Sequence, residues 1–267
     1  MPAETVYFVH ISDTHIGPTG DYHLRGHFPL SCARRLVAII NELPQRPDFV
    51  IHTGDVVTDP DPGAYSLAAA TLADLNVPIY YVAGNHDRAG DIRSYLPMGS
   101  TTDAGSDPQR LAYTFEVKGY RFLVLDAKGP ETIEPQGLLP DSQLQLAALE
   151  AQEEGPPLVV FIHFPVQPLN SAWMDDNMLI VNGQALHETL LPARERLRGV
   201  FHGHVHQHMQ TVRDGILYVS VASAFSQFGA WPDDTTTTYN LDQDPGYGFV
   251  HLLPDQTIVH QHTFPRP

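Results

Sequence analysis

VYFVHISDTH, residues 6–15, places a short apolar run directly before the polar triplet Asp13-Thr14-His15. A run of β-branched and aromatic residues that ends in a polar turn predicts a buried strand. Ligands of open α/β sheets bind beyond the carboxyl ends of the strands. We therefore expect Asp13 and His15 to face a functional site.

Four more apolar runs end in the same way. They are 48–52 before Gly54-Asp55, 79–83 before Gly84-Asn85-His86-Asp87, 158–162 before His163, and 199–202 before Gly203-His204-Val205-His206. Because the carboxyl ends of strands in one sheet lie at the same edge, these side chains are expected to converge in space. Each pattern alone is typical of an ordinary turn, so the prediction depends on the ordered set.

The order of the predicted elements indicates the fold class. Predicted helices alternate with the early strands, whereas strands dominate the late part of the chain. The helices are indicated by helical spacing over 30–43, 141–152 and 185–191, and by an N-cap at Asp61-Pro62. This order predicts an α/β fold, a four-layer α/β/β/α sandwich with two mixed β-sheets packed face to face and helices outside. We expect a single domain over 1–267, with loops at 99–110 and 223–248, of which the second would form a pocket lid.

Composition excludes several classes of protein. The 267 residues include 15 Lys and Arg against 31 Asp and Glu, a formal net charge of −16, which disfavours binding to nucleic acid or to an anionic membrane. Cys32 is the only cysteine, so no intrachain disulfide can form. No signal peptide and no membrane-length apolar run is recognisable, so we expect a cytoplasmic protein. Whether it forms a homo-oligomer is left open.

The converging side chains have the chemistry of metal ligands. Asp13, Asp55, Asn85 and four imidazoles supply mixed nitrogen and oxygen donors without thiolate, a set that suits Mn, Fe, Zn, Co or Ni rather than Ca or Mg. Seven groups exceed one tetrahedral shell and fit two metals that share a bridging carboxylate. Two metals about 3.5–4 Å apart form a clamp for in-line displacement at phosphorus.

The ordered set resembles the calcineurin-like metallophosphoesterase family over residues 6 to about 220. Within that family the chain is most similar to the class III cyclic-nucleotide phosphodiesterases and glycerophosphodiesterases. The segments Leu138-Leu139-Pro140-Asp141-Ser142-Gln143-Leu144 and Ser171-Ala172-Trp173-Met174-Asp175, with Asn182-Gly183, carry this closer resemblance. One departure is Phe164, because the subgroup often has a second histidine after the position of His163.

The resemblance implies a role for each residue. The first metal would be bound by Asp13, His15, Asp55 and His206, and the second by Asp55, Asn85, His163 and His204, with Asp55 bridging. His86 would be catalytic, stabilising charge at the scissile phosphate and protonating the leaving oxygen, and Asp87 would fix its tautomer. The implied cofactors are two divalent or trivalent transition metals, with Fe, Mn or Zn favoured, and the implied nucleophile is a metal-bound hydroxide.

The leading functional hypothesis is a dimetal phosphodiesterase acting on a small diester such as 3',5'-cyclic AMP or a glycerophosphodiester. A phosphomonoesterase or nucleotidase on the same centre is the alternative enzyme, and Arg88 is the only obvious arginine near the motifs that could hold a monoester dianion. A nuclease is disfavoured because Lys118 and Lys128 are the only lysines. A non-catalytic protein-binding scaffold of the same fold would lack ligands, and none of the expected ligands is missing.

Overall fold

The strands and helices follow the predicted alternation along the chain. A computed structural model describes residues 4–105 and 107–267. Its strands are β1 (Val6–Ile11), β2 (Phe49–His52), β3 (Ile79–Tyr81), β4 (Thr102–Asp103), β5 (Tyr113–Val117), β6 (Tyr120–Val124), β7 (Leu158–Phe161), β8 (Leu197–His202), β9 (Gln210–Arg213), β10 (Ile216–Ser220), β11 (Gln227–Phe228), β12 (Tyr239–Asn240), β13 (Gly246–Leu252) and β14 (Thr257–Thr263). The α-helices are α1 (Pro29–Asn41), α2 (Pro62–Leu72), α3 (Ala89–Tyr95), α4 (Asp141–Glu150), α5 (Ala172–Asn177) and α6 (Gly183–Leu190).

Two mixed sheets carry these strands. The first has the order β14-β13-β1-β2-β3, in which β1, β2 and β3 are parallel and β13 pairs antiparallel with both β1 and β14. The second has the order β4-β5-β6-β7-β8-β10-β9, in which β6, β7, β8 and β10 are parallel. The parallel strands of each sheet end at one edge, so the residues that follow them meet there.

Side-chain alternation along the second sheet explains why it has a layer on each face. Phe122 and Phe161 point toward the first sheet, where the Phe122 ring packs edge-on against Phe49 at 5.0 Å. Leu123 and Val160, one residue away in each strand, belong to the cluster that includes residues of α4 and α6. Because successive side chains of a strand face opposite sides, apolar residues at both positions require cover on both faces.

The helices cover the outer faces of the two sheets. Helix α1 buries Leu36 and Ile40 among residues of the first sheet. Asp61 is the N-cap of α2, and its carboxylate accepts hydrogen bonds from the backbone N–H groups of Gly63 at 2.7 Å and Ala64 at 3.2 Å. Helices α4 and α6 pack on the second sheet. The predicted α/β class, with two mixed sheets between helices, is therefore confirmed. The described helices include none long and apolar enough to cross a bilayer.

The elements absent from the sequence prediction are short ones. Helices α3 and α5, and strand β4 within the predicted loop at 99–110, have seven residues or fewer. Ser106, in the same predicted loop, lies outside the described residues. The predicted loop at 223–248 contains the two-stranded sheet of β11 and β12. Elements this short show too little periodicity to be recognised and depend on tertiary contacts.

One side chain joins the two sheets near the strand ends that precede the predicted ligands. Tyr113, in the second sheet, donates its hydroxyl hydrogen to the Tyr81 carbonyl at 2.7 Å and accepts the Tyr81 backbone N–H at 2.9 Å. Strand β3, to which Tyr81 belongs, is the edge of the first sheet. The hydroxyl therefore pairs two buried backbone groups that lack a neighbouring strand, four residues before Asn85.

Tyr113→Phe is expected to lower the free energy of unfolding by about 1–3 kcal/mol, because it leaves the buried Tyr81 N–H and C=O groups without a partner. Chemical denaturation monitored by circular dichroism measures this change. Tyr120→Phe is the matched control, since the buried Tyr120 hydroxyl has no hydrogen-bond partner among the described residues. Equal losses of stability in the two variants would contradict the role of Tyr113.

Candidate metal centre

The predicted ligands lie together beyond the ends of five strands. They are Asp13 and His15 after β1, Asp55 after β2, Asn85 after β3, His163 after β7, and His204 and His206 after β8. All are buried except Asn85, which is partly exposed. The structure thus brings all seven predicted ligands to one site.

Asp13, His15 and His206 form the first group of donor atoms. The Nε2 atom of His206 lies 3.3 Å from Oδ1 of Asp13 and 3.2 Å from Nε2 of His15. The His15 Nε2 atom also lies 3.7 Å from Oδ2 of Asp55. The donor atoms of Asp13, His15 and His206 are close enough to one another for a single cation to contact all three.

His163, His204 and Asn85 form the second group. The Nε2 atom of His163 lies 3.1 Å from Nδ1 of His204, 3.2 Å from Oδ1 of Asn85 and 3.4 Å from Oδ2 of Asp55. The Oδ2 atom of Asp55 therefore faces both groups, which is the position that a bridging carboxylate requires. The bridge itself stays a prediction.

The donor set fits two metal ions. His15 and His206, and likewise His163 and His204, direct ring nitrogens at each other at hydrogen-bond distance, so two lone pairs can be satisfied together by a shared cation. Among the described residues the buried Oδ1 of Asp13 has no hydrogen-bond partner. A buried carboxylate oxygen without a donor is costly, and a cation removes that cost. Imidazole and carboxylate donors suit transition metals.

Backbone carbonyls fix which ring nitrogen faces the site. The Nδ1 atoms of His163 and His206 donate hydrogen bonds to the carbonyls of Thr53 at 2.6 Å and Ser226 at 2.7 Å. Each bond places a proton on Nδ1, so Nε2 is the ring nitrogen that can bind a metal once it carries no proton.

The turns that carry the ligands have an unusual backbone. Asp13, His15, Asp55, His204 and His206 all have positive φ, between 43° and 71°, in the left-handed region that non-glycine residues rarely adopt. Strain of this kind concentrates at functional sites, where the surrounding structure compensates for it. Here the compensation includes backbone hydrogen bonds of 3.0 Å from Asp13 N–H to the carbonyl of Gly54, and from His15 N–H to that of Asp55.

Two glycines are required beside the ligands. Gly54 has φ of 105°, and a Cβ atom there would lie 2.4 Å from Nδ1 of His163. At Gly84 a Cβ atom would lie 2.1 Å from Oδ1 of Asp55. The Gly-Asp and Gly-Asn sequences are thus dictated by the close approach of the ligands.

The buried charges stabilise one another. Burial alone would raise the pKa of Asp55, but His163, His86 and His15 hold that pKa well below its usual range. Burial lowers and Asp55 raises the pKa of His163, and the net result is a pKa of about 9. The pKa of His204 falls to about 3 through burial and the nearby His163. Without metal, Asp55 and His163 are therefore an ion pair, and a cation that binds His163 must displace its proton.

His86 lies beside the donor groups, and its ring centroid is 5.0 Å from that of His15. Its backbone N–H donates to Oδ1 of Asp55 at 2.9 Å, and its Nδ1 donates to the carbonyl of Thr58 at 2.6 Å. One of its ring nitrogens lies close enough to the His15 and Asp55 donor atoms to join them around one cation. The Thr58 carbonyl therefore leaves Nε2 of His86 free to face the pocket.

The predicted contact between Asp87 and the His86 ring is wrong. The Asp87 carboxylate accepts hydrogen bonds from the backbone N–H groups of Val56 at 3.1 Å and Gly84 at 3.0 Å. Burial, with the nearby Asp55, raises the pKa of Asp87 to about 6. Asp87 thus joins the two turns that carry Asp55 and Asn85, and the tautomer of His86 is fixed by Thr58 instead.

Lys128 supports the same turn and was not predicted from the sequence. Its Nζ donates hydrogen bonds to the carbonyls of Asn85 at 2.6 Å and Asp87 at 2.8 Å, on either side of His86. No local sequence pattern marks a residue that acts 43 positions away from the turn it holds.

A cavity of about 200 Å³ opens onto the donor groups. Its described walls are mostly aromatic or apolar beyond the ligands themselves, and include Arg25, Pro135, Trp173, Met178, Phe228, Thr237 and Tyr239. Arg25 and Tyr239 were not predicted, whereas Trp173 belongs to a segment that carried the resemblance. Trp231 is 75% exposed and lies outside this cavity. Arg88 lines a separate cavity with Arg110 and Lys128, so it is not the arginine of the site.

Comparison with known proteins gives the family. Residues 6–208 match the calcineurin-like phosphoesterase model. The chain is 32% identical over 254 residues to the 3',5'-cyclic adenosine monophosphate phosphodiesterase CpdA of Pseudomonas aeruginosa, covering 94% of this chain and 87% of that protein. It is 29% identical over 258 residues to the glycerophosphodiester phosphodiesterase GpdQ of Enterobacter lignolyticus, covering 95% of this chain and 90% of that protein.

The fold is also found in a solved structure. A dimetal phosphatase from Danio rerio superposes with a TM-score of 0.66 at 16% identity, covering 97% of this chain and 99% of that one. At this identity the likeness concerns the fold alone.

Asp55→Ala is expected to lose both metal ions, whereas His206→Ala weakens mainly the first group and His163→Ala mainly the second. The reason is that, of the carboxylates in the described part of the chain, that of Asp55 faces both groups. Metal content per chain after equilibrium dialysis, measured by plasma mass spectrometry, checks this prediction. The exposed His260→Ala is the control and should bind as the wild type does. Normal binding of two ions by Asp55→Ala would disprove the bridge.

Proposed function

Since the chain belongs to the calcineurin-like phosphoesterase family, we propose that it is a dimetal phosphodiesterase that hydrolyses small phosphodiesters, such as 3',5'-cyclic nucleotides or glycerophosphodiesters. The observation that carries this proposal is the Asp55 carboxylate placed between two histidine groups at the floor of the cavity. The names of the two relatives supply the substrate class.

The proposed cofactors are two transition-metal ions, with Fe, Mn or Zn favoured by the mixed donor set. When bound, such ions lower the pKa of a water and neutralise the charge of a phosphate. The chain itself supplies the arrangement: Asp13, His15, Asp55 and His206 would hold one ion, and Asp55, Asn85, His163 and His204 the other.

His86 is the proposed catalytic residue of the chain. Thr58 holds its Nδ1 proton, so the opposite ring nitrogen faces the cavity beside the donor groups. From there a protonated Nε2 can stabilise negative charge on the phosphate and donate a proton to the leaving oxygen. Lys128 and Asp87 are proposed as positioning residues, since both hold the turn that carries His86.

The cavity walls favour a substrate with an uncharged second ester group. Trp173, Met178 and Phe228 offer apolar surface beside the donor groups. Phe228, Thr237 and Tyr239 come from the segment 223–248, which we propose as a lid over the cavity. The proposed organisation is a single domain spanning 1–267. A polymeric nucleic acid would need a basic surface track, for which a chain of net charge −16 is poorly suited. A cytoplasmic location stays a prediction.

Arg25 in the cavity favours a second candidate function, a phosphomonoesterase on the same centre. A guanidinium there supplies the donors that a phosphate dianion requires. A scaffold without catalysis is disfavoured, because the structure brings every predicted ligand together.

His86→Ala is expected to keep its metal ions and to lose about 10²–10⁴-fold in turnover, since charge stabilisation and proton donation are removed without a ligand. Steady-state kinetics on an alkyl and an aryl phosphodiester measure the loss, which should be larger for the poorer alkyl leaving group. Loss of metal in this variant would instead identify His86 as a ligand, and His260→Ala serves as the control.

The enzyme should prefer small phosphodiesters over phosphomonoesters and over single-stranded DNA, because the apolar walls accept an uncharged ester group. The measurement compares kcat/KM on bis(4-nitrophenyl) phosphate and 4-nitrophenyl phosphate, followed by a DNA cleavage assay. A monoester preferred by about tenfold or more would favour the second candidate function. Rapid cleavage of DNA would overturn the assignment of a small substrate.

A further inference from the structure

Arg25 is a cationic side chain inside the metal-binding cavity. It lies in the loop after β1, and of the described residues that line the cavity it is the only arginine or lysine. Its φ of 53° is in the left-handed region, as it is for the ligands Asp13 and His15 of the same loop. The loop that supplies two predicted ligands therefore also supplies a positive charge.

Three aromatic rings hold the guanidinium in place. Its Cζ atom lies 4.2 Å from the ring centroid of Tyr239, 5.0 Å from that of Phe228 and 6.0 Å from that of Phe225. Phe228 in turn stacks on the ring of His206 at 4.3 Å. A single layer of aromatic rings thus separates Arg25 from a predicted metal ligand, and cation–π attraction fixes the guanidinium without neutralising its charge.

The charge of Arg25 has no carboxylate partner among the described residues. Its Nη1 is buried and has no hydrogen-bond partner in that part of the chain. By contrast, Arg121 forms ion pairs with Glu116 at 3.0 Å and Glu150 at 2.8 Å. A partly buried guanidinium with no carboxylate in contact among the described residues can accept an anionic ligand.

We propose that Arg25 binds an anionic oxygen of the substrate beside the metal centre. Arg25 would thereby determine how much negative charge an accepted substrate can carry. This inference rests on the proposed function. The planar guanidinium presents parallel N–H groups that match the oxygens of a phosphate or carboxylate. The oxygen belongs either to the scissile phosphate or to a second anionic group on one ester substituent, and substrates of different charge distinguish these sources.

The test uses the metal-loaded full chain and three substrates. They are methyl 4-nitrophenyl phosphate, 4-nitrophenyl phosphate, and a 4-nitrophenyl diester whose second ester group bears a carboxylate. Arg25→Met keeps an unbranched stem against Tyr239 and removes the charge, whereas Arg25→Lys keeps the charge and loses the planar fork. Arg88→Met is the matched control, because Arg88 lines the separate cavity.

Arg25→Met is expected to lose about 10–100-fold in kcat/KM, mainly through KM, which corresponds to one charge-assisted hydrogen bond. A loss on all three substrates, largest for the monoester, assigns the oxygen to the scissile phosphate. A loss on the carboxylate-bearing diester alone assigns it to a second anionic group. In either case Arg25→Lys should recover part of the loss, and Arg88→Met should match the wild type.

Values for Arg25→Met within about twofold of the wild type on all three substrates would overturn the proposal. So would a loss accompanied by fewer bound metal ions or a lower unfolding temperature, because Arg25 would then act through the fold. Calorimetric titration with inorganic phosphate separates this inference from the proposed function. If the wild type hydrolyses none of the substrates, the proposed function is wrong. The anion-binding role of Arg25 is still supported in that case when inorganic phosphate binds at least about tenfold more weakly to Arg25→Met than to the wild type.

Discussion

The rest of the structure depends on the buried carboxylate of Asp55. Its Oδ2 faces both histidine groups, its Oδ1 accepts the backbone N–H of His86 at 2.9 Å, and its carbonyl accepts the N–H of His15 at 3.0 Å. One residue thus connects the turns after β1, β2 and β3. A buried negative charge persists only where cations or several donors surround it. The arrangement of histidines around Asp55 meets this requirement, so the placement of the surrounding turns follows from the need to compensate one charge.

The side chains that compensate this charge lie on turns with a strained backbone. Pairing of the strands and hydrogen bonds between the turns stabilise that strained conformation. Left-handed conformations at Asp13 and His15 are held because β1 and β2 pair in parallel and their following turns continue to exchange hydrogen bonds. The second sheet contributes from its own edge, where the Ser223 hydroxyl donates to the Asp13 carbonyl at 2.8 Å. Because both sheets hold the same turns, the donor atoms can be placed before any metal binds. Preorganisation of this kind reduces the reorganisation that binding and catalysis would otherwise require.

The sequence predicts that the seven proposed ligands converge because each follows a strand, and strand ends are local features that a motif records. The partners of His86 and Asp87 were not predictable in the same way. The sequence predicts Asp87 as the partner of the His86 ring, whereas in the packed turns the carbonyl of Thr58 is the acceptor. Lys128 and Arg25 act across long chain separations, and their neighbours in sequence give no sign of it. Chemistry that depends on residue type at a strand end is thus visible in the sequence, whereas chemistry that depends on orientation is not.

The residues proposed to act on the phosphate differ from those proposed to select the substrate. The proposed ligands alone are compatible with monoesters and diesters, because both substrates have non-bridging phosphate oxygens that two metal ions could bind. Discrimination must come from groups that touch the rest of the substrate or its remaining charge. The groups proposed for this role lie on two loops, 12–28 and 223–248, which meet where the Arg25 guanidinium lies over the Tyr239 ring at 4.2 Å. Lys128 lines the separate cavity of Arg88 and donates two hydrogen bonds to backbone carbonyls, so it is not among these groups. In a protein of net charge −16, the position of the positive charge in the cavity therefore depends on a contact between two loops rather than on the proposed metal ligands.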